Sequence, residues 1–162
     1  MILRSAVVED AAAVAAIWNA LIRDSLVTFT TQEKTPSEMG NLIALRPDAF
    51  FVVSGSNSVL GFATFGTFRG GPGYATTVEH TVMLDPAARG LGQGRRLMNA
   101  LMTAAHQQGV HVMIAAISSA NPDAVQFHER LGFAKTGHLY NVGYKSGQWL
   151  DLIFMQKTLG LT

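Results

Sequence analysis

Apolar and polar positions along this chain follow two periods. From Glu9 to Arg23 the apolar residues Val14, Ile17, Trp18, Leu21 and Ile22 recur at three- and four-residue steps. That spacing predicts a helix with one buried stripe. Thr35-Pro36-Ser37-Glu38 opens a second helix, with proline in its first turn, ending near Arg46-Pro47. Ile2–Ala6, Phe50–Ser54 and Val59–Thr67 read as strands, the last two joined by the turn residues Gly55 to Ser58. Another strand is predicted over Tyr74–Leu84, where Asp85-Pro86 stops it. Leu97, Leu101 and Ala105 then repeat at four-residue spacing with Met98 and Met102 beside them, so a helix follows. Val110–Ser118 is nearly all apolar and suits a strand buried on both faces. Asn121 caps a helix that begins at Pro122. Lys135–Tyr144 and Leu150–Gln156 read as two closing strands around a Lys145–Trp149 turn. Helices and strands are interspersed without repeat, low-complexity tract or linker. The expectation is one α/β domain over residues 1–162.

Composition narrows the function. Apolar residues make up 48% of the chain and charged residues only 14%, a low charge for a fully solvated surface, which suggests a face covered by a partner chain. A net charge of +1 argues against a nucleic-acid footprint. With no cysteine, disulfides, thiolate metal sites and a cysteine acyl-enzyme are excluded. His80, His106, His111 and His138 show no metal-ligand spacing, so no metal site is expected. Arg4, Glu9 and Asp10 interrupt the N-terminal apolar run, which is no signal peptide, and no run is long enough to span a membrane. A cytoplasmic location without membrane contact is the expectation.

The densest chemistry lies between Thr77 and Ala105, where strand, turn, glycine-rich loop and helix follow in order. Arg89-Gly90-Leu91-Gly92-Gln93-Gly94 enters the helix directly, and Arg89, Arg95 and Arg96 add positive charge. Unpaired amides at a helix start attract an anion, and glycines let a ligand approach the backbone. The dinucleotide fingerprint needs Gly-x-Gly-x-x-Gly and the P-loop ends in Gly-Lys-Ser/Thr; neither spacing is present. The loop alone is either a phosphate seat or a tight turn without a ligand.

Three elements together carry a resemblance. Arg89-x-x-Gly92-x-Gly94 after a strand resembles the acyl-CoA loop of the GCN5-related N-acetyltransferases. Asn121-Pro122 with Phe127-His128-Glu129-Arg130-Leu131-Gly132-Phe133 is similar to that family's later motif. Thr77-Val78-Glu79-His80-Thr81-Val82 and Val142–Asp151 resemble its phosphinothricin and methionine sulfoximine acetyltransferase branch. The resemblance implies a mostly antiparallel mixed sheet, splayed near the Thr77 strand, with helices on both faces. It implies acetyl-CoA as cosubstrate, a small amino-acid analogue as acceptor, direct transfer without an acyl-enzyme, and a homodimer. The same fold acting on a peptide N-terminus or a polyamine is the nearest alternative; a CoA-binding module without chemistry is the other.

Residue roles follow from the resemblance and from what amide formation needs. Backbone groups of Val82, Met83 and Leu84 would pair with the pantetheine arm. Amides of Gly90, Leu91, Gly92, Gln93, Gly94 and Arg95, beside Arg89, would take the pyrophosphate, with Asn121 further along the cofactor. The acceptor amine must lose a proton, and a carboxylate of raised pKa can collect it. Glu79 is the candidate; the alternative is a plain exposed charge on a strand face. His128 either protonates the departing thiolate, holds the cofactor, or packs beside Leu131 and Phe133. In the implied acceptor pocket, Phe29 would pack on an aliphatic chain, Arg69 would pair a carboxylate, and Gly73 and Tyr74 would form one wall.

Overall fold

The computed structural model describes residues 1–160, in which seven strands form one sheet in the order β1-β2-β3-β4-β5-β7-β6. The strands are β1 (Ile2–Ser5), β2 (Phe50–Ser54), β3 (Val59–Thr67), β4 (Thr77–Leu84), β5 (Val112–Ser118), β6 (Ala134–Lys145) and β7 (Gln148–Thr158). The helices are α1 (Ala11–Asp24), α2 (Pro36–Leu45), α3 (Gln93–Gln107) and α4 (Pro122–Arg130). Every neighbouring pair is antiparallel except β4 and β5. That parallel pair is short: Thr77, Val78 and Glu79 face Val112, Met113 and Ile114, and the register stops there. Both strands continue, β4 to Leu84 and β5 to Ser118. The sheet therefore splays beyond Glu79, as the resemblance implied.

Alternation along the strands feeds two cores. On one face Ala63, Phe65, Val78, Met113 and Ala115 pack against Leu97, Met98 and Leu101 of α3 and Val125 of α4. On the other, Phe50, Val52 and Phe62 pack against Val14 and Ile17 of α1 and Met39 and Ile43 of α2. The predicted apolar stripe of α3 is buried as read, and burying one such leucine contributes about 1.5–3 kcal/mol. Thr35 caps α2 in a capping box with Glu38, and Asn121 Oδ1 caps α4 by accepting from the Ala124 amide at 3.2 Å.

Several boundaries differ from the sequence reading. Tyr74 is not in β4, because Pro72–Tyr74 forms a single 3₁₀ turn and the strand begins at Thr77. Val110 and His111 precede β5; the latter's amide bonds the Thr76 carbonyl at 2.8 Å, and Val110 packs in the core as a connector. The last turn is tighter than predicted. Ser146 and Gly147 both have positive φ, 52° and 74°, as a two-residue hairpin turn of matching twist needs, so Trp149 sits in β7 opposite Tyr144.

Candidate active site

The glycine loop builds an amide-lined cradle. Gly90 and Gly92 both have φ of 74°, and Gly92 is the residue before α3. Two left-handed turns in three residues aim successive amides to one side, a conformation that glycine reaches without a Cβ penalty. The amides of Gln93, Gly94 and Arg95 are first-turn donors with no intrahelical partner. Arg89, Arg95 and Arg96 stand exposed around them, and no acidic residue interrupts Pro86 to Leu97. The Gln93 side chain is already committed: Nε2 donates to the Leu91 carbonyl at 3.1 Å, and Oε1 accepts from Arg96 at 2.8 Å. Only its amide is left for a ligand.

The splay supplies the second half. Past Glu79, β4 is bonded to β3 on one edge and has no strand on the other, among the described residues. Val82, Met83 and Leu84 occupy this half-free stretch, half-buried. An extended ligand carrying amide groups fits a free strand edge, because it can take over the unfinished ladder. The Asn121 amide nitrogen remains available, since the cap uses only Oδ1. The structure thus brings together the free edge and the cradle on successive segments of one chain.

Glu79 ends the β4–β5 pairing, opposite Gly66 of β3, on the face shared with α1 and α2. Its residue is exposed, while the strand and neighbours desolvate part of the carboxylate and raise its pKa from the ordinary value. No cation of the described residues pairs with it. A carboxylate so placed is more basic than usual and open to an incoming amine.

His80 points the other way, into the α3 and α4 core, and meets His128 there. His128 Nδ1 lies 2.6 Å from the Ala124 carbonyl, which can only accept, so that nitrogen carries the proton. Burial lowers the His128 pKa, leaving the ring neutral and its Nε2 bare. His80 Nε2, 3.0 Å away, must then be the donor. This assignment leaves His80 Nδ1 a buried lone pair without a partner. Burial, with His128 second, pushes the His80 pKa down to about 3. Phe133 and Phe127 pack edge-on against His128.

The neutral pair makes stability depend on pH. In the unfolded chain both histidines take a proton below about 6.5, while the fold holds them neutral, so acid favours unfolding. His80 alone is expected to cost about 1.4 kcal/mol per pH unit as pH falls from 6.5 toward 3. The ion-paired Asp10, whose pKa Arg4 holds down, acts only below its unfolded value of 3.8, outside most of that window. Urea midpoints at pH 7 and pH 5 measure the loss, and His80→Gln is expected to flatten it. Equal slopes in wild type and variant would show that the pair is not held neutral.

The expected acceptor residues are only partly gathered. Arg69 and Tyr74 line a cleft of about 710 Å³ between the C-terminal end of α2, the ends of β3 and α3, and the start of β4. Arg69 lies over the Tyr74 ring at 5.3 Å. Gly73 is exposed in the same loop but does not line the cleft. Phe29 sits elsewhere, packed flat over Gly143 of β6, in a loop tied down by Lys145 Nζ on the Thr28 carbonyl at 2.8 Å and Ser118 Oγ on the Leu26 carbonyl at 2.7 Å. Sequence reasoning missed Arg46, His80 and Lys145. Alternation from Glu79 would have turned His80 toward the core; nothing local marked the other two.

The model of the acetyltransferase (GNAT) family matches residues 15–133. The chain belongs to that family. Among similar proteins, the L-methionine sulfoximine/L-methionine sulfone acetyltransferase of Pseudomonas aeruginosa is 41% identical over 91% of this chain and 81% of its own. An acetyltransferase from Salmonella typhimurium, solved with its cofactor acetyl-CoA, superposes with a TM-score of 0.93 at 34% identity, covering 100% of this chain and 95% of the other. A GNAT phosphinothricin acetyltransferase from Sinorhizobium meliloti in complex with AcCoA gives 0.91 at 31%, covering 98% and 88%. The seven-stranded mixed sheet with its single parallel pair is thus the GNAT acetyltransferase fold.

Proposed function

We propose that this GNAT acetyltransferase moves the acetyl group of acetyl-CoA directly to the α-amine of a small amino-acid analogue of the phosphinothricin, methionine sulfoximine or methionine sulfone type. The observation that carries the reading is Glu79, a partly desolvated carboxylate at the point where β4 and β5 part, between the free strand edge and the cleft. The names of the relatives supply the acceptor class. Bound acetyl-CoA supplies an activated acetyl group as a thioester. The amides of Gly90 to Arg95, with Arg89, hold its phosphates; the edge of Val82 to Leu84 and the Asn121 side chain hold its arm. Glu79 takes the ammonium proton of the acceptor, directly or through water. An α-amine of pKa about 9 is mostly protonated at neutral pH, and two pKa units correspond to about 2.7 kcal/mol. His128 directs its only proton to the Ala124 carbonyl and accepts from His80 on the other side, which favours the packing role beside Leu131 and Phe133 over thiolate acid or direct cofactor contact.

A kinetic panel tests the acceptor. Methionine sulfone, methionine sulfoximine or phosphinothricin is expected to be turned over, with plain methionine poorer by about 1–3 kcal/mol for each pocket group left unpaired. A higher kcat/KM for a peptide N-terminus or spermidine than for all three would replace this acceptor class with the alternative.

The same reading includes a homodimer, for which β6 and β7 supply the surface. Tyr140, Val142, Tyr144 and Trp149 are exposed by 72%, 53%, 59% and 65%, close together on the edge hairpin, and Tyr144 packs on Trp149 at 4.8 Å. Exposed apolar and aromatic side chains gathered on one edge hairpin offer an association site. Light scattering at micromolar concentration is expected to give twice the 17.4 kDa chain mass; a monomer would count against the dimer.

A further inference from the structure

The structure places a half-buried cation without an anion beside the proposed base. Arg46 follows α2, and its guanidinium occupies the space over Gly66. A Cβ at position 66 would collide with it, so only glycine leaves this notch open. Nη1 donates to Thr64 Oγ1 at 3.1 Å, and that hydroxyl is itself anchored on the Ala49 carbonyl at 2.8 Å. Gly66 is the cross-strand partner of Glu79. Side chains of such partners leave the same face of the sheet, with Cβ positions about 4.5–5.5 Å apart. Arg46 thus fills the position next to Glu79, yet the two lie beyond ion-pair distance and neither forms an ion pair with another of the described residues. Burial lowers the Arg46 pKa, the mark of a cation stripped of water. Desolvated charges in folded proteins are normally paired.

Arg46 also lines the 710 Å³ cleft, together with Leu42, Leu45, Phe65 and Tyr74. The second guanidinium there, Arg69, differs in kind: it is exposed, on a glycine-rich loop, and rests on an aromatic ring. A fixed group orients a ligand at lower entropic cost than a mobile one.

We infer that Arg46 receives the α-carboxylate of the acceptor and thereby delivers its α-amine to Glu79. In an α-amino acid the carboxylate and amine are attached to one carbon, so a molecule held by Arg46 must present its amine within a few ångströms. Adjacent sites for an anion and for an ammonium match that headgroup and no simple amine or polyamine. The apolar wall and Arg69 are left for the side chain. The inference rests on the proposed acetyl transfer and narrows its acceptors to those with a free α-carboxylate.

The experiment compares methionine sulfone with the amine made by removing its carboxyl group. Wild type is expected to prefer the amino acid. Arg46→Gln is expected to lower kcat/KM for the amino acid by roughly 10- to 150-fold, mainly through KM, the range for lost hydrogen bonds to a charged group. For the carboxylate-free amine the change should stay within about threefold. Arg46→Lys should recover part of the loss, and Gly66→Ala, which displaces the guanidinium while keeping it in the chain, should reproduce it. Melting curves and acetyl-CoA affinity control for folding. If Arg46→Gln affects both acceptors equally or neither, Arg46 is not the carboxylate site, although acetyl transfer stands. If wild type acetylates the amine as well as the amino acid, the headgroup assignment fails. If wild type acetylates neither, both the inference and the proposed acceptor class fall.

Discussion

Glu79→Gln is expected to lower kcat/KM for the acceptor by roughly 10²–10⁴ at neutral pH, the usual contribution of a positioned general base. The substitution keeps shape and hydrogen-bonding reach but removes the ability to hold a proton. Because the side chain is exposed and unpaired, the variant should fold as wild type does, and its acetyl-CoA affinity should be unchanged. The pH dependence separates this from a packing effect. Partial burial raises the Glu79 pKa, so the acid limb of kcat/KM should lie above the ordinary carboxylate range and vanish in the variant. As pH rises toward the amine pKa the acceptor deprotonates unaided, and the two rates should converge. Wild-type rates in the variant at neutral pH would make the carboxylate a bystander.

Gly92→Val is expected to abolish stabilisation by acetyl-CoA. At about one hundred times its dissociation constant, the cosubstrate should add roughly 2.7 kcal/mol to the native state, a rise in Tm of roughly 5–10 °C for a chain of this size. Gly92 holds φ at 74° immediately before α3, and a Cβ there meets open space. The penalty of valine is therefore backbone strain alone, on the order of 1–3 kcal/mol, or a turn of the loop away from the left-handed region. The strain lowers the apo Tm by a few degrees; the turn reorients the amides of Gly92 to Gly94 and removes the cradle. NADH and ATP should shift wild type far less than acetyl-CoA. Calorimetry showing no CoA binding by wild type would remove the assigned cradle, and an undiminished shift in the variant would place the phosphates elsewhere.

Most of the architecture was legible in the sequence because it depends on local signals. The four-residue repeat of Leu97, Leu101 and Ala105 is buried as a helix face must be, Asn121-Pro122 caps and starts α4 as those residue types do, and Phe50–Ser54 and Val59–Thr67 are strands at the predicted bounds. The order of the motifs further identified the family, and with it the splayed sheet. The boundaries that moved did so where a local signal competed with pairing. Tyr74 lost its strand position to the Pro72 turn, and Trp149 gained one because positive φ at Ser146 and Gly147 closed the hairpin two residues sooner than its composition suggests.

What the sequence by itself determined is the set of segments and the backbone chemistry of the glycine loop, both of which depend on neighbours a few residues apart. What only the tertiary structure decided is how side chains from distant segments face one another. The resemblance offered His128 as an acid or a cofactor contact; the approach of His80, 48 residues away, ties up its outer nitrogen. Phe29, expected beside the acceptor, covers Gly143, a contact set by Lys145 and Ser118, which hold its loop against β5 and β6. Arg46 carries no sequence signal, since its meaning comes from Gly66, Thr64 and Glu79, which strand register alone brings beside it. A pairing between residues far apart in the chain leaves no trace in the spacing of either one; it exists only once the sheet has set the register and the cores have closed on both faces.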